Sequence, residues 1–498
     1  MGNYVPRYKN ARWHIIYGSY EGIEKFAVDE LQKMVQDFFP YVVGVHPADA
    51  YEWSSQSHHF LLGTAANNPR IRELADKGLV NLPYHHQGYS LTALDSPDED
   101  GMRIMAISGF DQEGVLYGVE DFHTRILGTL NVDEPAGMGK LSDAMPGIAN
   151  FSIQEHPLIE NRGIWTWGYV IYDYRRLIDN MARMKMNMLT IWNDCPPLNC
   201  REVVDYAHSR GVKVILGFHW GWGIEGLDPT DIRNREKIKE EVVKKYRDEY
   251  TPLGMDGIYF QSFTERKDTR IGDKSIARLV CGWVNEIAAD VFKENPDLHL
   301  QFGLHATSIA ENYADLKDLD PRIVIVWEDA GVIPFFYDPV PKYNYEMSHA
   351  QLQDLNSLEA TIKYSRKLAE FRGKTEFGMV PKGWICLRWG DEFEHHGPFV
   401  LGCRSPEFIH KRLLERRARW NKVNKLWLEN YPLAMEYYRQ ILDCNPLKMT
   451  VTGLIEDGLF EEEIPVSAAI FAETLWNPKR DEREILSLAL GAIQRNPG

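Results

Sequence analysis

Indoles and carboxylates recur side by side through the second part of this sequence. Trp165, Trp167 and Tyr169 form one group; Trp192-Asn193-Asp194, His219-Trp220-Gly221-Trp222-Gly223 and Gln261-Ser262-Phe263-Thr264-Glu265 follow. Further on come His305, Trp327-Glu328-Asp329, and Arg388-Trp389-Gly390-Asp391-Glu392. Sugar chemistry needs this combination. Indole faces stack on the C–H faces of a pyranose, while carboxylates bind hydroxyls and move protons. Glu265 is the first candidate for a proton donor, because it follows an apolar run where partial desolvation raises a carboxyl pKa. Its competing role is an ion pair with Arg266 or Lys267 in a surface loop. Glu328 or Asp329 supplies a second carboxylate, and Asp391 and Glu392, beside Glu394, a third.

Around these acids, the candidates for sugar binding are Trp165, Trp167, Trp192, Asn193, His219, Trp220, Trp222, His305, Trp327 and Trp389. The alternative for each Trp is an ordinary buried aromatic capping a core. Lys382 and Arg388 fit the carboxylate of an acidic sugar, or a local acid. The run Glu461-Glu462-Glu463 reads as a solvated loop face. His395-His396 lies beside Asp391, Glu392 and Glu394, yet nothing matches a zinc spacing such as His-Glu-x-x-His. No metal and no organic cofactor is expected.

Short apolar runs must hold these groups in place. Gly163–Trp167, Met188–Trp192, Val212–Phe218, Gly257–Phe263, Leu298–Leu304, Ile323–Trp327, Gly378–Leu387 and Lys448–Gly453 each read as a strand buried on both faces. Helical stretches separate them, for example 174–186 and a long one from about 407 to 443. Eight strand–helix units predict a (β/α)8 TIM barrel over 151–498 with C-terminal helices, and put the polar clusters at the strand ends where such barrels do chemistry. A doubly wound open sheet is the competing fold. It calls for a glycine-rich phosphate turn after the first strand, where this chain has Trp165-Thr166-Trp167-Gly168-Tyr169.

Residues 1–150 read as a small α/β domain of mixed strand order. Its strands lie at 12–17, up to Thr64, near 88–93 and at 103–108; its helices lie at 21–38, from Pro69, and at about 112–127. The breaker-rich stretch 129–150 reads as a linker.

Composition narrows the partners. With 498 residues, 44% hydrophobic and 26% charged, the chain is an ordinary globular one, and its net charge of −16 repels phosphate. Neither nucleic acid nor membrane is an expected partner: no window approaches the ~20 apolar residues of a membrane span. A homo-oligomer is compatible with the composition. The start Met1-Gly2-Asn3-Tyr4-Val5-Pro6-Arg7 lacks a secretory pattern, and Arg7 spoils the match to a myristoylation site. The six cysteines are scattered without Cys-x-x-Cys, as reduced thiols in a cytoplasmic protein would be.

Several motifs resemble glycoside hydrolases. Phe60-Leu61-Leu62-Gly63-Thr64 with Asn68-Pro69, Ile107-Ser108-Gly109 and Gly114-Val115-Leu116-Tyr117-Gly118 look like the small domain that precedes the barrel in family 67 α-glucuronidases and family 20 β-N-acetylhexosaminidases. Arg162-Gly163-Ile164, the stretch Leu177 to Ala182, and Lys185-Met186-Asn187 are similar to the first barrel strand and helix of family 20. Tyr206-Ala207 with Arg210-Gly211-Val212 resembles the approach to its third strand. Family 20 carries an Asp-Glu pair after strand four; this chain has Thr264-Glu265, so the acid carries over and its partner does not. Family 67 has its acid after strand four and its bases after strands six and seven, a layout that Glu265, then Glu328 or Asp329, then Asp391 or Glu392 fit. The resemblance implies an exo-acting glycosidase that takes a terminal sugar, a uronic acid among the candidates, from an oligosaccharide. Its rivals are a hexosaminidase-like enzyme whose substrate's acetamido group attacks, and a non-catalytic carbohydrate-binding relative.

Overall fold

The structure, a computed structural model, describes residues 11–37, 39–53, 56–98, 101–127, 145–193, 195–221, 227–266, 268–328, 358–384, 397–455 and 461–493. An N-terminal sheet contains β1 (Arg12–Tyr17), β2 (Gly44–Pro47), β3 (Ser57–Thr64), β4 (Tyr89–Asp95), β5 (Arg103–Gly109) and β6 (Phe151–Glu155), in the order β2-β1-β3-β5-β4-β6. The first four in that order run parallel, and β4 is antiparallel to both its neighbours. Because side chains alternate across a strand, Trp13, Ile15, Phe60 and Leu62 pack against the helices Gly22–Gln36 and Gln112–Arg125. Ile16 and Leu61 meet the helix Pro69–Asp76 on the other face. Asn68 caps that helix, its side chain accepting from the amides of Arg70 at 3.1 Å and Ile71 at 3.3 Å, with Pro69 preset for the first turn. The sheet's last strand lies beyond residue 150, so this unit reaches further into the chain than the breaker-rich stretch indicates.

Eight parallel strands close the barrel: β7 (Asn161–Trp167), β8 (Met188–Trp192), β9 (Lys213–Gly217), β10 (Gly257–Gln261), β13 (His299–Leu304), β14 (Val324–Trp327), β15 (Glu376–Met379) and β16 (Lys448–Leu454). A two-residue ladder, β11 (Arg270–Ile271) with β12 (Lys274–Ser275), decorates the connection after β10. Pairing of β16 with β7, Thr452 opposite Gly163, completes the ring. Gly163 lies so near the Met188 carbonyl that a Cβ there would overlap it. The eight expected strands are these eight, seven of them within a few residues; the seventh, expected over Gly378–Leu387, starts earlier and ends at Met379, with an isolated bridge at Trp384. The far end of the seventh, from 385, lies outside the described residues.

Alternation sorts every barrel strand into two faces. Ile191, Leu216, Phe260, Phe302, Trp327 and Met379 belong to the apolar layer shared with the helices. Trp165, Trp167, Met188, Ile215, Tyr259, Val324, Val326, Val380 and Leu454 form a second cluster, the barrel's interior. The helix Pro406–Leu442, capped by the Ser405 side chain on the Phe408 amide at 3.3 Å, leads to two C-terminal helices, Val466–Trp476 and Glu482–Ile493.

A charged seam joins the N-terminal sheet, the barrel and these last helices. Buried Lys185 bonds Asp121 and lies 2.7 Å from Glu473. Arg480 reaches Glu473 at 2.9 Å and Glu155 at 2.8 Å, while Arg125 reaches Asp121 at 2.9 Å and Glu155 at 3.1 Å. Ala182 and Trp476 pack into the N-terminal core beside it. Among the described residues no helix is long and apolar enough to cross a membrane, and the five described cysteines are free.

Candidate active site at the barrel mouth

Among the described residues, Glu328 is the acid that the carboxyl end of a barrel strand brings into the interior. Val324 and Val326 face inward on β14, so Glu328 continues the inward parity one residue past the strand. Its amide donates to the Leu304 carbonyl at 3.0 Å, which fixes the backbone. Glu328 is buried, and both its oxygens are used. Oε1 accepts from the Tyr259 hydroxyl and from Gln261 Nε2 at 2.7 Å; Oε2 lies 2.7 Å from His305 Nε2. Gly303 makes room, since a Cβ there would overlap both Glu328 Oε1 and the Tyr259 hydroxyl.

Burial pushes the Glu328 carboxyl up, but His305, Lys382 and the Gln261 hydrogen bond outweigh it and hold the group below the ordinary carboxylate range. It is therefore an anion at neutral pH, paired inside the barrel.

Beside this anion stands an aromatic wall. Trp165 and Trp192 stack with ring centroids 6.2 Å apart and 18° between planes. Both meet the Tyr259 ring edge-on, at 5.7 Å and 5.9 Å, and Trp167 meets Trp165 edge-on at 4.9 Å. Asn193 Oδ1 accepts from the Gly168 amide at 2.8 Å. Asn193 Nδ2 and Trp165 Nε1 are buried and find no hydrogen-bond partner among the described residues. Trp220 Nε1 and Trp327 Nε1 are in the same condition on the outward face; what sets Asn193 Nδ2 and Trp165 Nε1 apart is their place beside the indole wall, where they suit a ligand that brings acceptors.

The interior thus unites Trp165, Trp167, Trp192, Asn193, His305, Glu328 and Lys382 from the sequence candidates. His219 continues the inward parity of β9 and is half-buried. Two candidates lie elsewhere. Trp220 faces outward and stacks on Phe260, centroids 3.7 Å apart and 9° between planes; Trp327 is fully buried against Tyr364 at 5.1 Å. Parity is the reason: each sits one residue from an inward position. Glu461 also departs from expectation. It is buried rather than solvated, its Oε1 accepting from the amides of Tyr172 at 2.6 Å and Asp173 at 2.9 Å.

Glu265 ends a 3-10 turn, Phe263–Glu265, just past β10; its side chain lies outside the described residues. So do Trp222, Asp329, Arg388, Trp389, Asp391, Glu392, Glu394, His395 and His396. Sequence reasoning gave no role to Tyr259 and Gln261. Their signal was available: Gln261 is the polar end of an otherwise apolar strand, two residues from Tyr259 and so on the same face.

No protein-family model matches the chain, and no curated protein matches it. Solved structures do. CpGH84B matches with a TM-score of 0.49 and 12% identity, over 96% of this chain and 70% of that one. BtGH115A, a family GH115 4-O-methyl-α-glucuronidase with specificity for decorated arabinogalactans, matches with a TM-score of 0.49 and 13% identity, over 94% of this chain and 56% of its own length. CpGH84D matches with a TM-score of 0.43 and 11% identity, over 98% and 91%. These structure neighbours are glycoside hydrolases, and at such identities the likeness is one of architecture alone.

Proposed function

We propose that the chain is an exo-acting glycoside hydrolase that removes a terminal sugar at the barrel mouth. The observation that carries this reading is the Glu328 carboxylate, held ionised by three donors beside the indoles of Trp165 and Trp192. Glycoside cleavage passes through an oxocarbenium-like transition state, and a fixed anion beside the ring stabilises that charge more than it does a neutral substrate. Indole faces hold the sugar, while Asn193 Nδ2 and Trp165 Nε1 offer donors to its hydroxyls. Glu265, carried just beyond β10, is the proton donor to the leaving oxygen.

In this reading Lys382, close enough to lower the Glu328 pKa, also favours an acidic sugar such as a uronic acid. Two carboxylates suffice for the chemistry, so the reaction draws on no metal and no organic cofactor.

The test is hydrolysis of a panel of aryl glycosides that includes uronides and N-acetylhexosaminides. Glu328→Gln keeps the shape and removes the charge; it should lower kcat by about 10²–10⁴-fold while sugar binding persists. Turnover that survives Glu328→Gln would sink the assignment. Sugar binding without turnover by the wild type would make the chain a binding protein instead.

A further inference from the structure

We infer that His305 is a positioning residue, not a sugar-binding one: it fixes Glu328 and ties it to the turn that carries Glu265. The inference rests on the hydrolase reading of the mouth. Three contacts support it. The imidazole Nε2 lies 2.7 Å from Glu328 Oε2, on the opposite carboxylate oxygen from Tyr259 and Gln261. Gln261 Nε2 lies 3.3 Å from the same ring nitrogen, a close approach of two donors that both serve Glu328, so that nitrogen is spent on the carboxylate and not on a ligand. The His305 amide donates to Thr264 Oγ1 at 3.4 Å, and buried Thr264 is the residue before Glu265. Ser308 reinforces the tie, its hydroxyl donating to the Arg266 carbonyl one residue beyond Glu265.

One short segment after β13 therefore bonds Glu328 itself and the residues on either side of Glu265. The distance between two carboxyl groups decides how a glycosidase works. A device that registers one against the other acts on turnover, because a misplaced reacting group costs rate more than affinity. The ionisable groups facing Glu328 from the described elements are Tyr259 on β10, His305 after β13 and Lys382 after β15.

His305→Ala and His305→Gln separate positioning from sugar binding. Alanine should lower kcat by about 10²-fold with KM nearly unchanged. Glutamine keeps a donor and should restore most of that loss. In both variants the acid limb of kcat/KM should move to higher pH, because the interaction that stabilises ionised Glu328 is weakened. The same shift should appear in the titration of the Glu328 carboxyl, followed by ¹³C NMR of labelled protein and assigned with Glu328→Gln. That titration needs no turnover, so an inactive wild type would remove the hydrolase reading and leave the His305 question answerable. An unmoved carboxyl titration in His305→Gln, or a loss confined to KM, overturns the inference. Should alanine fail to fold, the glutamine variant decides alone.

Discussion

Strand β13 carries a histidine at each end, and each meets a glutamate. At the mouth, His305 Nε2 lies 2.7 Å from Glu328; at the opposite end, His299 Nε2 lies 2.8 Å from Glu376. The surroundings of the two pairs differ. Glu376 Oε1 accepts from His299, from Asn161 Nδ2 at 3.2 Å and from the Thr450 hydroxyl. Asn161 Nδ2 also reaches Thr450 Oγ1 at 2.9 Å, its Oδ1 accepts from Lys213 at 3.3 Å, and the other His299 nitrogen lies 2.9 Å from Gln301 Nε2. The lower network consumes its own donors and plugs the barrel. At the mouth, Asn193 Nδ2 and Trp165 Nε1 remain buried without partners among the described residues, next to stacked indoles. A His–Glu pair alone does not mark a site. The lower network leaves an acceptor, Gln301 Oε1, buried without a partner among the described residues; the mouth leaves donors and sets them beside stacked indoles, which is the combination a sugar would use.

Substitutions that exchange the two ends break or sharpen this contrast. The largest expected effect is Glu328→Gln on kcat, against Glu376→Gln, which should leave kcat alone and destabilise the fold. Glu376 is half-buried, and leaving its His299, Asn161 and Thr450 donors with a poorer acceptor should cost about 1–3 kcal/mol, read as the shift in urea midpoint. Equal losses of activity from both variants would erase the distinction. Two indoles of opposite parity at the ends of the neighbouring strands β8 and β9 give the next contrast. Trp220→Ala should cost about 3–5 kcal/mol of stability through the cavity it leaves on Phe260, without changing KM. Trp192→Ala should weaken sugar binding by about 0.5–1.5 kcal/mol, read from titration of a monosaccharide.

Acid distinguishes the ends more gently. Burial opposes charge on Glu376, yet His299, Thr450 and Lys448 draw its carboxyl down from 4.5 to about 2. A folded-state value below the unfolded one stabilises above the unfolded value and is lost as pH falls through the folded one. Stability should therefore decline between pH 4.5 and about 2, by on the order of 3 kcal/mol from this group. Glu376→Gln should flatten that part of the profile. A slope unchanged by the substitution would place the acid sensitivity elsewhere.

Barrel strands were legible in the sequence because burial on both faces leaves a short, largely apolar run, unbroken in Val324–Trp327. Two sheet strands were not. Gly44–Pro47 is a short edge strand with no fully buried residue, and Phe151–Glu155 is only partly buried along its length. Neither needs an apolar run. Within the site, composition picked out Trp192, His305 and Glu328 but could not separate them from Trp220 and Trp327. That separation depends on which residue begins the inward count. The count is set by pairing between strands far apart in sequence, such as Thr452 with Gly163. Glu461 was misread for a related reason: its amide partners, Tyr172 and Asp173, are distant along the chain.

The charged seam has a consequence for how the chain is made. Asp121, Arg125 and Glu155 leave the ribosome before Lys185, and Glu473 and Arg480 follow long after all of them. Until that later segment emerges, Lys185 and Asp121 lack part of the set that neutralises them, and Trp476 has not yet closed over the first core. Domains usually fold as units in order of synthesis. Here the N-terminal sheet unit reaches its finished form only when the helices Val466–Trp476 and Glu482–Ile493 have been made, so a unit synthesised early waits for a closing step from far along the chain.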